Sequence, residues 1–347
     1  MTVQYTPRRA FLFGLALAFS SLAMGISSCG PARPSVVLYT SVDEVFARPI
    51  ADSFSKETGI EVLLVPDTEE TKSTGLLNRL IAEKARPQAD VFWSGDPVRA
   101  AILKAKGVSA AWRPKGAEEL PAQFSDADAH WTGFSARARV IIYNTNLVAQ
   151  GEEPRSVLDL LAPRFQGKAC IANPLFGTTS MHAAALFAVL GEEKAKAFFE
   201  GFRANGGKVL SSNGDVRSRV SNGEFAIGIT DTDDANVARL EKKPVQVVYP
   251  DADGMGTLIV PNCAVLIAGG PNPEAGRKLI EYLIRPSTEE ALARSEAAQM
   301  PVRRGLSVPE GVVPLERVKP MSVDYAKLGL LLEQLTKGYL KDWVDRS

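Results

Sequence analysis

Residues 36–65 read VVLYTSVDEVFARPIADSFSKETGIEVLLV, and the rest of the chain repeats the pattern of this stretch. The apolar run VVLYT predicts a buried strand. Apolar residues then recur at helical spacing through Phe54, and Gly59 ends the helix. A second strand, IEVLLV, follows at once. Strands that alternate with helices predict a mainly parallel sheet covered on both faces, which is an α/β fold.

The same alternation continues downstream through the strand-like runs ADVFW, ARARVIIYN, KACIAN, GKVLS, FAIGITD, VQVVYP and TLIVPNCAVLIAG. A length of 347 residues suggests two domains at roughly 150 residues each. Two α/β halves joined by strands enclose a cleft, which is lined by the carboxyl ends of strands and the N-termini of helices. Polar residues that directly follow strands are therefore the candidate site residues.

The composition is that of an ordinary globular protein. The chain has 40 Lys and Arg against 40 Asp and Glu, 45% hydrophobic residues and a mean hydropathy of -0.03. These values argue against a disordered chain and against a polytopic membrane protein. Because a nucleic-acid binder normally has a basic excess, zero net charge also argues against a nucleic-acid partner.

The N-terminus, MTVQYTPRRAFLFGLALAFSSLAMGISSCG, has the layout of a bacterial signal peptide, predicted over 1–28. Arg8 and Arg9 precede an apolar run that is too short for a comfortable membrane span. The pair resembles a twin-arginine signal, and ordinary Sec export stays open. The sequence ISSC resembles a lipobox, so we expect a lipid on Cys29, a linker at 29–35, and a protein anchored in the periplasm or at the cell surface.

The two remaining cysteines, Cys170 and Cys263, both lie in apolar strand-like runs. They are interpreted as buried small hydrophobic residues. A disulfide between them in an oxidising compartment is the alternative, which the sequence leaves open.

Motifs for catalysis are missing from the sequence. The run GFSAR begins like a nucleophile elbow but has Arg137 where the closing glycine belongs. His130 and His182 each lack a second histidine or cysteine at metal-ligand spacing. Binding is therefore favoured over catalysis, with an exported enzyme on the same fold as the competing class.

The strongest candidate site is TDTDDAN, which directly follows the strand FAIGI. Its three carboxylates, Asp231, Asp233 and Asp234, lie where a strand gives way to a helix. Helix capping explains one of them. It does not readily explain three mutually repelling groups, which suit a bound cation or ammonium group.

A second candidate is NPLFGTTS at 173–180, ahead of an Ala-rich helix. Gly177, Thr178 and Thr179 at a helix N-terminus suit an anion, and a plain threonine N-cap is the alternative. Arg137 and a second arginine two residues later share one face of the strand ARARV. They meet either this anion or, in the competing account, the aspartate cluster.

Further candidates follow the first strands, and each has a helix cap, a turn or a core position as its alternative. The tryptophan among them is expected either to wall the site or to lie in the core. These residues are Ser41, Asp43, Asp67, Thr68, Trp93 and Asp96.

Several segments, in order along nearly the whole chain, resemble the bacterial extracellular solute-binding proteins of ABC importers, and within them the ferric-iron-binding subgroup: ETGIEV, ADVFW, RARVIIYN and NGEFAIG. The resemblance implies a periplasmic-binding-protein-like type II fold, with two lobes joined by hinge strands. The lobes are predicted over 36–136 with 256–347, and over 137–255. It also implies closure around a ligand and delivery to a membrane permease.

The resemblance transfers ligand residues only in part. Ferric members commonly bind iron through two adjacent tyrosines, and here Thr232 and Asp233 stand at those positions. Asp43 and Asp96 stand at or near other metal-ligand positions, with Asp231 and Asp234 as further candidates. The positions that contact a synergistic carbonate or phosphate match better, namely Arg137, Gly177, Thr178, Thr179 and Asn213.

The resemblance makes ferric iron with a synergistic anion the default ligand, and the residues themselves leave other ligands open. Carboxylates are hard donors that suit Fe³⁺ or Ca²⁺, each with carbonate or phosphate, although no cofactor is required. Carboxylates opposite an arginine and a Gly-Thr-Thr turn suit an aminophosphonate or a sugar phosphate equally well. We expect a monomer that binds a metal ion or a small molecule.

Overall fold

The computed structural model of the protein describes residues 33–67 and 74–346. The predicted signal peptide, Cys29 and Thr68 lie outside these ranges. The strands of the described residues are β1 Ser35–Thr40, β2 Glu61–Pro66, β3 Val91–Ser94, β4 Thr132–Asn144, β5 Ala169–Ala172, β6 Lys208–Leu210, β7 Ile227–Asp231, β8 Val245–Val248 and β9 Ile259–Leu266.

The helices come between these strands and after them, which confirms the predicted alternation. They are α1 Glu44–Thr58, α2 Thr74–Ala82, α3 Pro97–Ala105, α4 Gly177–Leu190, α5 Glu192–Ala204, α6 Asn213–Ser221, α7 Thr232–Leu240, α8 Pro273–Leu283, α9 Pro286–Arg294, α10 Tyr325–Lys337 and α11 Tyr339–Asp345. None of the helices in the described ranges has both the length and the apolar character that crossing a membrane requires.

The strands form a mixed sheet in the order β2-β1-β3-β9-β4-β7-β5-β6, with β8 paired to β4. The outer pairs are parallel, as predicted: β1 with β2 and β3, and β5 with β6 and β7. The central pairs, all of which involve β4 or β9, are antiparallel. The antiparallel centre arises because β4 leaves the first half of the sheet and β9 returns to it.

Strand β4 belongs to both halves of the sheet. Its first part, as far as Ala138, pairs with β9, and its second part, from Arg139, pairs with β7. The change of partner falls two residues beyond the predicted lobe boundary at 136/137. It places the two strand arginines at the junction between the halves. The lobe ranges themselves stay a prediction.

The helices bury the faces that their periodicity predicts. In α1 the buried residues are Ala47, Ile50, Ala51 and Phe54, and Gly59 follows with φ +73°. The predicted C-terminal helix is two helices, because the chain turns at Gly338 between α10 and α11. Helix α10 packs against α3 and α4, so the tail packs on the body as expected.

Both cysteines of the described residues are free and buried. Burial raises the pKa of the Cys170 and Cys263 thiols above their ordinary value. The two residues therefore act as small apolar side chains in the core, in agreement with the first of the two interpretations.

Candidate functional site

A cavity of about 380 Å³ lies at the carboxyl ends of the strands, where the sequence places the candidate site. It is built from the turns that follow β1, β5, β6 and β7, together with one side chain of β4 and one residue after α9. The described residues that line it are Ser41, Asp43, Val45, Phe46, Arg137, Ala172, Asn173, Phe176, Gly177, Thr178, Thr179, Ser211, Ser212, Asn213, Gly214, Arg217, Asp231, Asp233, Asp234, Val237 and Glu296.

A buried ion pair forms the floor of this cavity. Arg139, which is fully buried, donates from Nη1 to Asp231 Oδ1 at 2.8 Å and to Thr178 Oγ1 at 3.0 Å. Its Nη2 donates to Thr179 Oγ1 at 3.2 Å. The other aspartate oxygen, Oδ2, accepts from the Thr178 hydroxyl at 2.5 Å and from Asn213 Nδ2 at 3.2 Å. Both oxygens of Asp231 are therefore occupied by protein donors.

The pKa of the Asp231 carboxyl reflects these donors. Burial by itself raises the pKa, and the guanidinium groups of Arg139 and Arg137 together with the Thr178 hydroxyl lower it below its ordinary value. Asp231 is therefore an anion whose charge is already neutralised, and a metal ion has to displace several donors to reach it. Of the two accounts of the strand arginines, the ion pair with the aspartate cluster is the one that the structure contains.

Arg137 lies between the floor and the open part of the cavity. Its Nη2 donates to the carbonyl oxygen of Gly95 at 2.7 Å. Its Nη1 lies 3.4 Å from Asp231 Oδ2 and 3.4 Å from Asp233 Oδ2. Although burial opposes ionisation, the surrounding carboxylates, Asp233 first, raise the pKa of Arg137 above its ordinary value. The guanidinium group is a fixed positive charge in the site.

Asp233 and Asp234 are the two members of the aspartate cluster that lie in the first turn of α7, and both line the cavity. Asp233 Oδ1 accepts from the backbone N–H of Asp234, and Asp234 Oδ2 accepts from the Thr230 hydroxyl at 3.1 Å. Burial raises the pKa of the Asp233 carboxyl; the Asp231 and Asp43 charges raise it further, against the opposing effect of Arg137. One oxygen from each carboxylate of the cluster lies within 4.8 Å of the others.

Three helices start at the cavity. Helix α4 begins at Gly177 after Phe176, and no side chain caps it. Helix α6 begins at Asn213, and helix α7 follows Asp231. The first backbone N–H groups of a helix lack partners within the helix and carry partial positive charge, so the starts of α4 and α6 attract an anion. The start of α7 already carries the carboxylates of Asp233 and Asp234.

The structure brings together most of the predicted site residues around one cavity. The residues that line it are Ser41, Asp43, Arg137, Gly177, Thr178, Thr179, Asn213, Asp231, Asp233 and Asp234.

Four predicted residues lie elsewhere, each for a local reason. Trp93 is fully buried in the core and donates to Asn262 Oδ1 at 3.2 Å. Asp96 caps helix α3 through the backbone N–H of Arg99, at 3.0 Å. Asp67 accepts from the N–H of Leu76 at the start of α2, at 3.3 Å. These predictions of site residues are corrected: the side chains are used in the core or at helix ends.

Thr232 is the fourth residue to be corrected. Its hydroxyl oxygen accepts from the N–H of Ala138 at 3.2 Å. The side chain also lines a separate cavity of about 320 Å³ on the other side of α7. Successive residues of an α-helix are displaced by about 100° around its axis, so Thr232 faces the second cavity while Asp233 and Asp234 face the main one.

Sequence reasoning missed two charged lining residues, Arg217 and Glu296. Arg217 comes four residues after Asn213 on α6, and the i to i+4 rule places both on one helix face. That spacing could have found it. Glu296 lies in the turn after α9, which is distant in sequence from every other lining residue, and no local pattern marks it.

His182 lies beneath the site and is buried near Arg139. Burial and the arginine charge lower its pKa to about 3. An unfolded histidine titrates near 6.5, so between about pH 6.5 and 3 the unfolded chain binds a proton that the folded chain refuses. The free energy of unfolding therefore falls as pH falls through this window.

We expect His182→Gln to remove that dependence, which amounts to roughly 1.4 kcal/mol per pH unit at its steepest. Urea denaturation from pH 7 to 4 measures it. The control is His130→Gln, which alters a half-buried histidine bonded to Ser109 and keeps the contribution of His182. An unchanged pH slope in His182→Gln would show that His182 titrates normally.

Comparison with known proteins identifies the class to which this fold and site belong. A family model described as bacterial extracellular solute-binding protein matches residues 86–327, which is more than half of the chain. The chain belongs to this family, and the resemblance drawn from the sequence is confirmed. Members bind solutes and are not enzymes, so a role as the substrate-binding component of an ABC importer is supported.

Individual relatives agree with this class. Iron uptake protein A1 from Synechocystis sp. is 29% identical over 96% of this chain and 98% of that protein. A candidate 2-aminoethylphosphonate-binding periplasmic protein from Salmonella paratyphi A is 30% identical over 73% of this chain and 72% of its own. Iron-bound HitA from Pseudomonas aeruginosa superposes with a TM-score of 0.80 at 22% identity, covering 89% and 99% of the two chains. This likeness confirms the two-lobe type II fold.

Proposed function

We propose that the protein captures a small zwitterion, an amine that also carries a phosphonate or phosphate group, and delivers it to an ABC permease. One observation carries the choice of ligand. The guanidinium of Arg137 lies 3.4 Å from both Asp231 and Asp233, two of the three carboxylates that could otherwise share a metal ion. A fixed positive charge there repels a metal ion.

The metal-ligand atoms available in the cavity also favour an organic ligand over a ferric ion. Among the described residues that line it, none is a tyrosine, histidine or cysteine. The phenolate pair that holds iron in ferric members is therefore replaced by Thr232, which faces elsewhere, and Asp233. Asp231 is in turn saturated by Arg139, Thr178 and Asn213.

The charges of the cavity fit both ends of a zwitterion. Five carboxylates and two guanidinium groups belong to the described residues that line it. This negative excess favours an ammonium group near Asp233 and Asp43. The anionic end fits the start of α4 and α6, beside the first backbone N–H groups of those helices and the guanidinium of Arg217.

A ferric ion with a synergistic carbonate or phosphate is the second candidate. It is favoured by the oxygens of Asp231, Asp233 and Asp234, which lie within 4.8 Å of one another, and by a relative named as an iron uptake protein. Ca²⁺ suits the same oxygens. In either case, Arg137 has to leave the cluster and pair with the anion.

Isothermal titration of protein treated with a chelator separates these ligands. We expect 2-aminoethylphosphonate to bind with a stoichiometry of one, and inorganic phosphate to bind more weakly because it lacks the ammonium group. Saturable binding of Fe³⁺ with phosphate, without binding of 2-aminoethylphosphonate, would replace the proposal by the second candidate.

We further propose that a lipid on Cys29 anchors the protein in the periplasm or at the cell surface. The residues ISSC support this, as does the extracellular or periplasmic place of its family. In a bacterial expression host, we expect Cys29→Ala to move the protein from the membrane fraction to the soluble fraction, as measured by immunoblot. The Cys170→Ala variant, altered at a buried core cysteine, is the control that stays with the membrane. Equal membrane association of both variants would contradict the anchor.

A further inference from the structure

Strand β4 contains an irregularity just before the arginine of the site. Its pairing with β9 shifts between Phe134 and Ala136, so that Ser135 is an extra residue in the strand. Ser135 has φ +35°, in the left-handed region that residues with a side chain rarely adopt. Its buried hydroxyl has no hydrogen-bond partner among the described residues, so the hydroxyl is not what holds this backbone.

The extra residue decides where Arg137 points. Side chains alternate between the two faces of a strand, and a bulge of one residue reverses the alternation beyond it. Arg137 comes two residues after Ser135, and it reaches Asp231 and Asp233 from the face that the bulge selects. A regular strand through this position would turn the guanidinium to the opposite face of the sheet.

A buried carboxylate holds the bulge. Glu289, on α9, is fully buried, and its Oε1 accepts from the N–H of Ser135 at 2.8 Å and from the N–H of Val302 at 2.8 Å. Asn262 Nδ2 donates to the carbonyl oxygen of Ser135 at 2.9 Å. The bulge is thus held on its N–H side by an anion and on its carbonyl side by an amide.

Burying a carboxylate is costly unless it is paired and hydrogen-bonded. Burial raises the pKa of Glu289, and Oε2 lies 3.5 Å from Arg303 Nε as its charged neighbour. The same carboxylate joins β4 to the chain at Val302. Two residues before Val302, Met300 exchanges two backbone hydrogen bonds with Ala136 at 2.7 and 2.8 Å. The backbone of β4 just before Arg137 is therefore held by hydrogen bonds at Ser135 and at Ala136.

We propose that Glu289 is a positioning residue for ligand binding, which holds the Ser135 bulge and thereby aims Arg137 into the cleft. The proposal rests on the proposed function only in that the ligand binds in the cavity that Arg137 lines. It assigns a binding role to a side chain that does not line the cavity.

Titration of variants with 2-aminoethylphosphonate tests the role. Glu289→Ala is expected to weaken binding by about tenfold or more, because the N–H of Ser135 then loses the acceptor that holds the bulge on that side. Glu289→Gln keeps an acceptor oxygen at the same place and is expected to bind within about threefold of the unaltered protein. Glu290→Ala, on the same helix beside Arg294, is the matched control and is expected to bind normally.

A rescue variant separates positioning from general stability. Glycine adopts positive φ without a side-chain clash, so Ser135→Gly makes the bulge less dependent on Glu289. We expect the affinity loss from Glu289→Ala to be smaller in the Ser135→Gly background. An equal loss in both backgrounds would overturn the proposal, as would a lowered Tm with unchanged affinity. If Glu289→Ala does not fold, Glu289→Asp, whose shorter side chain withdraws the acceptor, takes its place.

Crystal structures without ligand keep this test separate from the identity of the ligand. In the Glu289 variant, we expect Arg137 to leave its position 3.4 Å from Asp233 and the bulge to relax. Arg137 in an unchanged position would refute the positioning role, whatever the protein binds. If the unaltered protein does not bind 2-aminoethylphosphonate, the proposed ligand is refuted. The position of Arg137 in the two crystal structures then still tests the role of Glu289.

Discussion

Replacing Asp233 by asparagine is expected to lower the affinity for 2-aminoethylphosphonate by about 10- to 150-fold, because one charge-assisted hydrogen bond to the ammonium group is lost. Asparagine keeps an oxygen that accepts from the N–H of Asp234. Because the pKa of Asp233 is raised by burial and by neighbouring carboxylates, removing its charge relieves repulsion in the free protein. The free protein is therefore expected to stay folded with an equal or higher Tm.

Isothermal titration and thermal unfolding of the same samples measure both effects. Asp253→Asn is the matched control, because Asp253 is exposed and does not line the cavity. Unaltered affinity in Asp233→Asn would remove the aspartate cluster from the binding site. A collapse of Tm without ligand would assign Asp233 a structural role in place of a binding role.

Replacing Asp231 by alanine is expected to lower the free energy of unfolding by about 3–5 kcal/mol. The reason is Arg139, which is fully buried and has Asp231 as its carboxylate partner at 2.8 Å. Without that partner, a guanidinium charge remains in the interior with only hydroxyl and amide oxygens around it. Thr178 and Asn213 lose a shared acceptor at the same time.

Urea denaturation at pH 7 measures this loss. Asp128→Ala is the control, since it breaks an ion pair with Lys104 at a largely exposed carboxylate and is expected to change stability little. A similar small effect in Asp231→Ala would mean that Arg139 finds water or another partner. The account of the cavity floor would then be wrong.

The two aspartates thus differ in role although they lie two residues apart. Asp231 ends β7, and its oxygens face the arginine and threonine side chains behind the cavity. Asp233 lies in the first turn of α7 and faces the cavity itself. The sequence predicts a cluster of carboxylates at this turn. The hydrogen bonds of the structure show which aspartate pairs with Arg139 and which faces the cavity.

Prediction from sequence worked where a local pattern determines the structure. The alternation of strands and helices predicts the cleft at the carboxyl ends of the strands. The spacing of Arg137 and Arg139 places both on one face of β4, as observed. The helical spacing of the tail predicts its packing, although the break at Gly338 was not predicted.

Prediction failed where two residues have the same local pattern and different long-range partners. Asp43 and Asp96 each directly precede a helix and follow the end of a strand by three and two residues. Asp96 caps its helix through the N–H of Arg99, whereas Asp43 makes no capping hydrogen bond and lines the cavity. The bulge at Ser135 is equally invisible, because Glu289, which holds it, lies 154 residues away.

Native mass spectrometry with elemental analysis, on protein purified from cells without chelator, distinguishes a zwitterion carrier from a ferric carrier. We expect a metal-free protein that carries one organic ligand containing nitrogen and phosphorus, and loss of that ligand in Asp233→Asn. One equivalent of iron in the unaltered protein, with no such organic ligand, would contradict it and make the protein a ferric carrier that uses carboxylates in place of tyrosines.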